Sequence, residues 1–248
     1  MPTPNPTWPA QLQLVRHAES TGNVARDEAT RRRLPFIDIA ARDMDVELSD
    51  RGRRQAEALG RWFEQTDKAP DVVLTSPYAR AEQTAEALTA GWGSTLVLDE
   101  RLREREFGIL DRLTRRGIEE RYPEEAAARG HLGKFYHRPA GGESWCDVAA
   151  RVRSVLDTIS RQYAGQHVIV VSHEVVVLMF CYVLQHLREA EVLELGRSRP
   201  LANCSITTFR AEADATEMEL VEFGATTALD VSPEQVTNEP ARRPAGAQ

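Results

Sequence analysis

Between about residues 10 and 228 the chain alternates short continuous apolar runs with longer stretches whose apolar residues recur every three or four positions. Apolar runs of four to six residues bounded by polar ones read as strands buried on both faces, and the 3.6-residue period reads as helices that cover them. The predicted buried strands are Leu12–Val15, Val72–Thr75, Thr95–Leu98 and His167–Val171, with Ser205–Arg210 and Met218–Phe223 as closing strands. Helices are predicted over Asp50–Gln65, with Ser49 as N-cap and Ala56, Leu59, Trp62 and Phe63 as its apolar stripe. Others are predicted over Pro77–Ala90, with proline in the first turn, from about Ser144 to Tyr163, and over Val175–Leu187. This order predicts an α/β fold with a mostly parallel sheet covered by helices.

Three regions depart from the rhythm. Residues 1–9 are rich in proline and 229–248 in proline, alanine and charge, so flexible tails are expected on either side of a single domain at 10–228. The segment 104–143 is charged, contains short helical pieces and ends in Pro139-Ala140-Gly141-Gly142-Glu143. It reads either as a surface insertion or as a lid over a pocket.

Composition narrows the class. With 42% apolar residues the chain builds a real core, and 31 basic against 38 acidic residues leave a net charge of −7. That balance disfavours general nucleic-acid binding, so an anionic ligand must be drawn by a local cationic pocket. Cys146, Cys181 and Cys204 show no CxxC spacing, which predicts neither a disulfide framework nor a zinc site and suits a reducing, cytoplasmic setting. The longest apolar stretch, Val175–Leu184, is too short to span a bilayer, so no membrane partner is expected. Self-association as a homodimer stays open, since no apolar edge can be located from the sequence.

The chemistry collects at strand ends. Leu12-Gln13-Leu14-Val15 runs into Arg16-His17, Val72-Val73-Leu74-Thr75 into Ser76-Pro77-Tyr78-Ala79-Arg80, and Val168-Ile169-Val170-Val171 into Ser172-His173. Ligands of open α/β sheets bind outside the carboxyl ends of the strands, so parallel strands would gather two arginines and two histidines at one edge. Arginine forks and a helix N-terminus at Pro77 suit a phosphate. Neither a GxxxxGK[ST] loop, nor GxGxxG opening a helix, nor a carboxylate cluster, nor HExxH is present, so no metal or other cofactor is expected. A histidine then becomes the candidate phosphoryl acceptor.

Leu14-Val15-Arg16-His17-Ala18-Glu19-Ser20 with Asn23, Leu48-Ser49-Asp50-Arg51-Gly52, Thr75-Ser76-Pro77-Tyr78-Ala79-Arg80-Ala81-Glu82-Gln83-Thr84, Leu102-Arg103-Glu104-Arg105-Glu106-Phe107-Gly108, Gly141-Gly142-Glu143-Ser144 and Val171-Ser172-His173 occur in that order. Together they resemble the histidine phosphatase superfamily, which includes the cofactor-dependent phosphoglycerate mutases. The resemblance implies a three-layer α/β/α sandwich and a phosphohistidine formed on His17. It also implies that Arg16, Arg80 and His173 hold the phosphoryl oxygens, that Asn23 contacts them, and that Glu104 donates the proton to the leaving alkoxide. Glu100 and Glu106 lie close by, and only the spacing within the matched block favours Glu104 over them. A phosphate dianion beside Glu104 favours its protonated form, so activity is expected to be greatest on the acidic side of neutral.

Two features separate this chain from the mutases it resembles. Phe107 stands where they carry a tyrosine, and Glu174-Val175-Val176-Val177 follows the second histidine in place of glycine, asparagine and serine. Hydrolysis of a small phosphorylated metabolite is therefore the expected activity, with a mutase and a non-catalytic phospho-ligand binder as the alternatives. Arg112, Arg115, Arg116, Lys134 and Tyr136 are candidates for leaving-group contacts from the lid, or else form a solvated helical face.

Overall fold

The structure is a computed structural model that describes residues 7–66, 69–213, 215–230 and 237. Six strands form one sheet in the order β3-β2-β4-β1-β5-β6, with β1 Gln11–Arg16, β2 Val72–Thr75, β3 Thr95–Leu98, β4 His167–Ser172, β5 Ile206–Arg210 and β6 Glu219–Ala225. The first four in that order run parallel, and β5 and β6 close the edge antiparallel. Strand side chains alternate between faces, and the alternation divides the core in two. Leu12, Leu14, Val168 and Val170 pack in one cluster with α6 (Trp145–Gln162) and α7 (Glu174–Leu184). Val15, Val73, Ile169 and Val171 pack in the other with α2 (Asp50–Thr66) and α3 (Ala79–Thr89). The result is an α/β/α sandwich, in which each fully buried valine, leucine or phenylalanine contributes about 1.5–3 kcal/mol.

Several boundaries differ from the sequence pattern for local reasons. Helix α3 begins at Ala79 rather than Pro77, because Tyr78 stays extended (φ −75°, ψ 131°). Its hydroxyl donates to Glu106 Oε1 (2.8 Å), and its amide donates to Ser76 Oγ (3.2 Å). Helix α7 ends at Leu184 rather than Leu187, where His186 turns left-handed (φ 51°) and Leu187 N donates back to Tyr182 O (3.1 Å). Two helices outside the pattern, α1 (Thr21–Arg31) and α8 (Glu189–Ser198), bury little: Asn23 and Ala29 in α1, Val192 in α8.

Within 104–143, α4 (Arg115–Arg121) and α5 (Pro123–Tyr136) form the body of the insertion. It is anchored at both ends. Phe135 is buried in the first core, and Glu143 takes Arg103 (2.8 Å), Arg151 (3.1 Å) and the amide of Glu106 (3.1 Å). Gly108 (φ 55°) lets the two ends meet, since a Cβ there would lie 2.1 Å from Ala140 O. The arginines expected to recognise a leaving group are otherwise engaged. Arg115 and Arg116 pair with Glu119 and Glu120 one turn on, Arg112 donates to Ala41 O (2.9 Å), and Lys134 sits over the Trp145 ring.

The expected tails fall mostly outside the described residues, at 1–6, 231–236 and 238–248. Their inner ends are packed: Trp8 Nε1 donates to Thr216 O (2.9 Å), and Leu229, in α9 (Thr227–Asp230), is buried against the second core. Large apolar side chains at those positions gain more from burial than from solvent. No helix among the described residues is long and apolar enough to cross a membrane, and the three cysteines are unpaired thiols.

Candidate active site

Parallel pairing of β1 with β4 aligns Arg16 with Ser172, so the residues that follow, His17 and His173, emerge side by side. The ladder continues one step beyond the strands: His17 N donates to Ser172 O (2.9 Å) and Ser76 N to Val171 O (3.0 Å). All three strand-end clusters therefore meet at one edge. The rings of His17 and His173 lie 5.1 Å apart, edge to face. His17, Asn23, Arg80 and Glu104 line one open cleft, with Ser20, Gly22, Arg26, Asp43, Val46 and Phe107 completing it. Arg16 and His173 sit buried behind this wall. The groups expected from the sequence to act together are thus brought together, four on the cleft and two beneath it.

His17 is oriented by its own backbone. Nδ1 lies 2.7 Å from Ala18 O, and a carbonyl oxygen only accepts, so Nδ1 carries the ring proton and Nε2 keeps the nucleophilic lone pair. The turn behind it is tied at every residue. Ala18 N donates to Thr84 Oγ1 (3.1 Å) and Glu19 N to Gln55 Oε1 (3.0 Å). Gly52 lets α2 approach this turn, for a Cβ at that position would lie 1.8 Å from Glu19 O.

His173 is wholly buried. Burial above all, then the positive charges of Arg80, Arg151 and Arg16, hold it well below the usual imidazole range, so it is neutral. Ser76 Oγ accepts from Tyr78 N and shares a hydrogen bond with His173 Nε2 (2.9 Å), which anchors the ring through that atom and leaves Nδ1 as its other nitrogen. That nitrogen has no hydrogen-bond partner among the described residues and faces Glu104 Oε2 at 3.9 Å.

Of the three candidate carboxylates, Glu104 is the one that lines the cleft. Its Oε1 accepts from Arg105 N (2.8 Å), and its side chain lines the cleft with His17 and Arg80. Glu106 instead receives Tyr78, and Glu100 lies in the short turn Glu100–Leu102; neither lines the cleft. Asn23 belongs to a capping box, its Oδ1 accepting from Ser20 N (3.0 Å) and Ser20 Oγ (3.1 Å), so a phosphoryl contact from it would run through Nδ2. Glu174 is in the first turn of α7 and does not line the cleft. Among the described residues no group of three or more His, Cys, Asp or Glu side chains is placed to hold a metal ion.

The sequence offered no signal for the loop 201–205. Arg16 Nη1 donates to Leu201 O, Cys204 N to Arg16 O (3.0 Å), and Asn203 Nδ2 to His17 O (2.9 Å) and Asn23 Oδ1 (3.4 Å). Cys204 holds a left-handed backbone (φ 58°), which a side chain rarely adopts unless its surroundings enforce it. Asn203 is therefore a positioning residue shared by His17 and Asn23. Asn203→Ala is expected to lower kcat by about ten- to a hundredfold with KM nearly unchanged, since small misplacements of a nucleophile are costly. Steady-state kinetics beside a thermal melt checks this; an unchanged kcat removes the assignment.

The comparisons agree with this geometry. The profile of the histidine phosphatase superfamily (branch 1) matches residues 12–223. Phosphoserine phosphatase 1 of Hydrogenobacter thermophilus is 30% identical over 179 residues, 70% of this chain and 76% of that protein. A 2,3-bisphosphoglycerate-dependent phosphoglycerate mutase of Methylobacterium radiotolerans is 32% identical over 212 residues, 83% of this chain and 91% of that protein. Among solved structures, the mycobacterial glucosyl-3-phosphoglycerate phosphatase in complex with VO3 superposes with a TM-score of 0.70 at 26% identity, covering 88% of this chain and all of that one. With the matched profile spanning most of the chain and the strand-end histidines and arginines gathered at one cleft, this protein belongs to the histidine phosphatase superfamily (branch 1).

Proposed function

We propose that the protein is a metal-independent phosphomonoesterase that works through a phosphohistidine. The observation that carries this reading is the pinned Nδ1 of His17, which presents Nε2 to a cleft walled by Arg80 and Glu104. In the first step Nε2 attacks phosphorus, the ester P–O bond breaks, and Glu104 gives its proton to the leaving alkoxide. Arg16, Arg80, neutral His173 and Nδ2 of Asn23 stabilise the charge spread over the transferring group. In the second step water attacks the phosphohistidine, Glu104 takes a proton from it, and inorganic phosphate leaves.

The mutase relative favours a second reading, phosphoryl transfer between positions of a phosphoglycerate. Phe107 on the cleft wall offers no hydroxyl to a second anionic group, and Asp43 adds a carboxylate there, which supports hydrolysis instead. Hydrolysis of p-nitrophenyl phosphate, undiminished by EDTA, is the expected result. Absence of turnover at high enzyme concentration removes the proposal, and faster conversion of 3-phosphoglycerate to 2-phosphoglycerate than release of phosphate establishes the mutase.

A further inference from the structure

Phosphoryl chemistry does not call for Asp43, yet it stands on the wall of the cleft with its carboxylate against Arg80. Asp43 Oδ1 lies 3.1 Å from Arg80 Nη1 and Oδ2 lies 3.3 Å from Nη2, while the Asp43 backbone oxygen accepts from Nη1 at 2.6 Å. Two carboxylate oxygens facing two terminal guanidinium nitrogens is the arrangement by which arginine also takes a phosphate. Arg80 is almost fully buried, whereas the Asp43 side chain is 36% exposed. Asp43 sits on the short turn Asp43–Asp45, which is clamped by Arg42 on Asp45 (2.6 and 3.1 Å) and by Asp45 N on Arg42 O (2.9 Å). The clamp does not involve the Asp43 carboxylate, so that side chain can rotate off Arg80 while the turn stays formed.

We propose that Asp43 holds Arg80 in place of the phosphoryl group and is exchanged for it on binding, so that Asp43 sets the affinity of the cleft for phosphate and phosphate esters. It acts through Arg80, as a competitor for the guanidinium, and touches none of the reacting atoms. The inference rests on the reading of Arg80 as a phosphoryl ligand. A binding-competent fraction of about one tenth weakens apparent affinity tenfold, and removing the competitor restores it. Asp43→Asn removes the charge but keeps the backbone bond to Arg80, and Asp43→Ser provides a second variant with a smaller side chain.

The test is calorimetric titration of inorganic phosphate into the wild type, Asp43→Asn, Asp43→Ser and Arg80→Ala, with kinetics on p-nitrophenyl phosphate. Both Asp43 variants are expected to bind phosphate about tenfold more tightly, with KM lowered by a similar factor and kcat changed much less. Arg80→Ala is expected to lose phosphate binding. If it binds phosphate as the wild type does, the reading of Arg80 fails and the inference with it. If Arg80→Ala loses binding while the Asp43 variants bind phosphate equally or more weakly, the inference alone is overturned, and Asp43 instead orients Arg80 so that its other edge meets the ligand. Binding by neither the wild type nor the Asp43 variants overturns it as well.

Discussion

His17→Ala is expected to lose kcat/KM by on the order of 10⁴-fold or more on every phosphate ester, with the fold retained, because no neighbour can supply the same attack. The nearest alternative, His173, is wholly buried and tied through Nε2 to Ser76 Oγ at 2.9 Å, so its ring is not free to turn onto phosphorus. Retention of the fold is expected because the strand pairing of β1 does not use the His17 ring, and the backbone bonds of His17 to Ser172 and Asn203 survive the change. Alkaline detergent quench after brief exposure to ³²P-labelled substrate should trap no alkali-stable, acid-labile phosphoprotein in the variant while trapping it in the wild type. Substantial turnover by folded His17→Ala would sink the phosphohistidine route.

Glu104→Gln is expected to cost about 10²- to 10⁴-fold in kcat on alkyl phosphates, the range typical of a lost general acid. The same variant should lose far less on p-nitrophenyl phosphate, whose leaving group departs without a proton. A structural role for Glu104 predicts equal losses on both esters, so the ratio of the two separates chemistry from positioning. The Arg105 amide bond to Oε1 can be kept by the glutamine carbonyl, which limits collateral disturbance. The fall in rate with rising pH expected on an alkyl ester should also flatten in this variant, since the proton whose loss shuts off the acid is no longer there.

The parts of this protein legible in its sequence are those fixed by short-range periodicity and by strand-end residue types. The runs at Val72–Thr75 and Thr95–Leu98 coincide with β2 and β3, and the helices at Asp50 and Ser144 with α2 and α6, because turns bound each run and an apolar stripe favours burial, although β3 at the sheet edge is only partly covered. The weakly apolar helices were illegible for the converse reason. Helix α1 carries only Asn23 and Ala29 inward and is held by a capping box and by the loop it packs on, which leaves no stripe to read. The start of α3 was misplaced by two residues because proline in a first turn is a local preference, whereas Tyr78 is held extended by distant Glu106.

The convergence of histidine and arginine from three strand ends was legible before any coordinate, since residues that follow parallel strands meet at one edge whatever the connecting helices are. Placing Glu104 rather than Glu100 or Glu106 on the cleft, assigning the proton of His17 to Nδ1, and bringing Asn203 against His17 and Asp43 to the cleft required the tertiary structure. The proton assignment rests on how the turn at Ala18 is folded, and the others on contacts between residues 37 to 186 apart along the chain; a linear pattern carries residue type and period but not the distance at which two such segments meet.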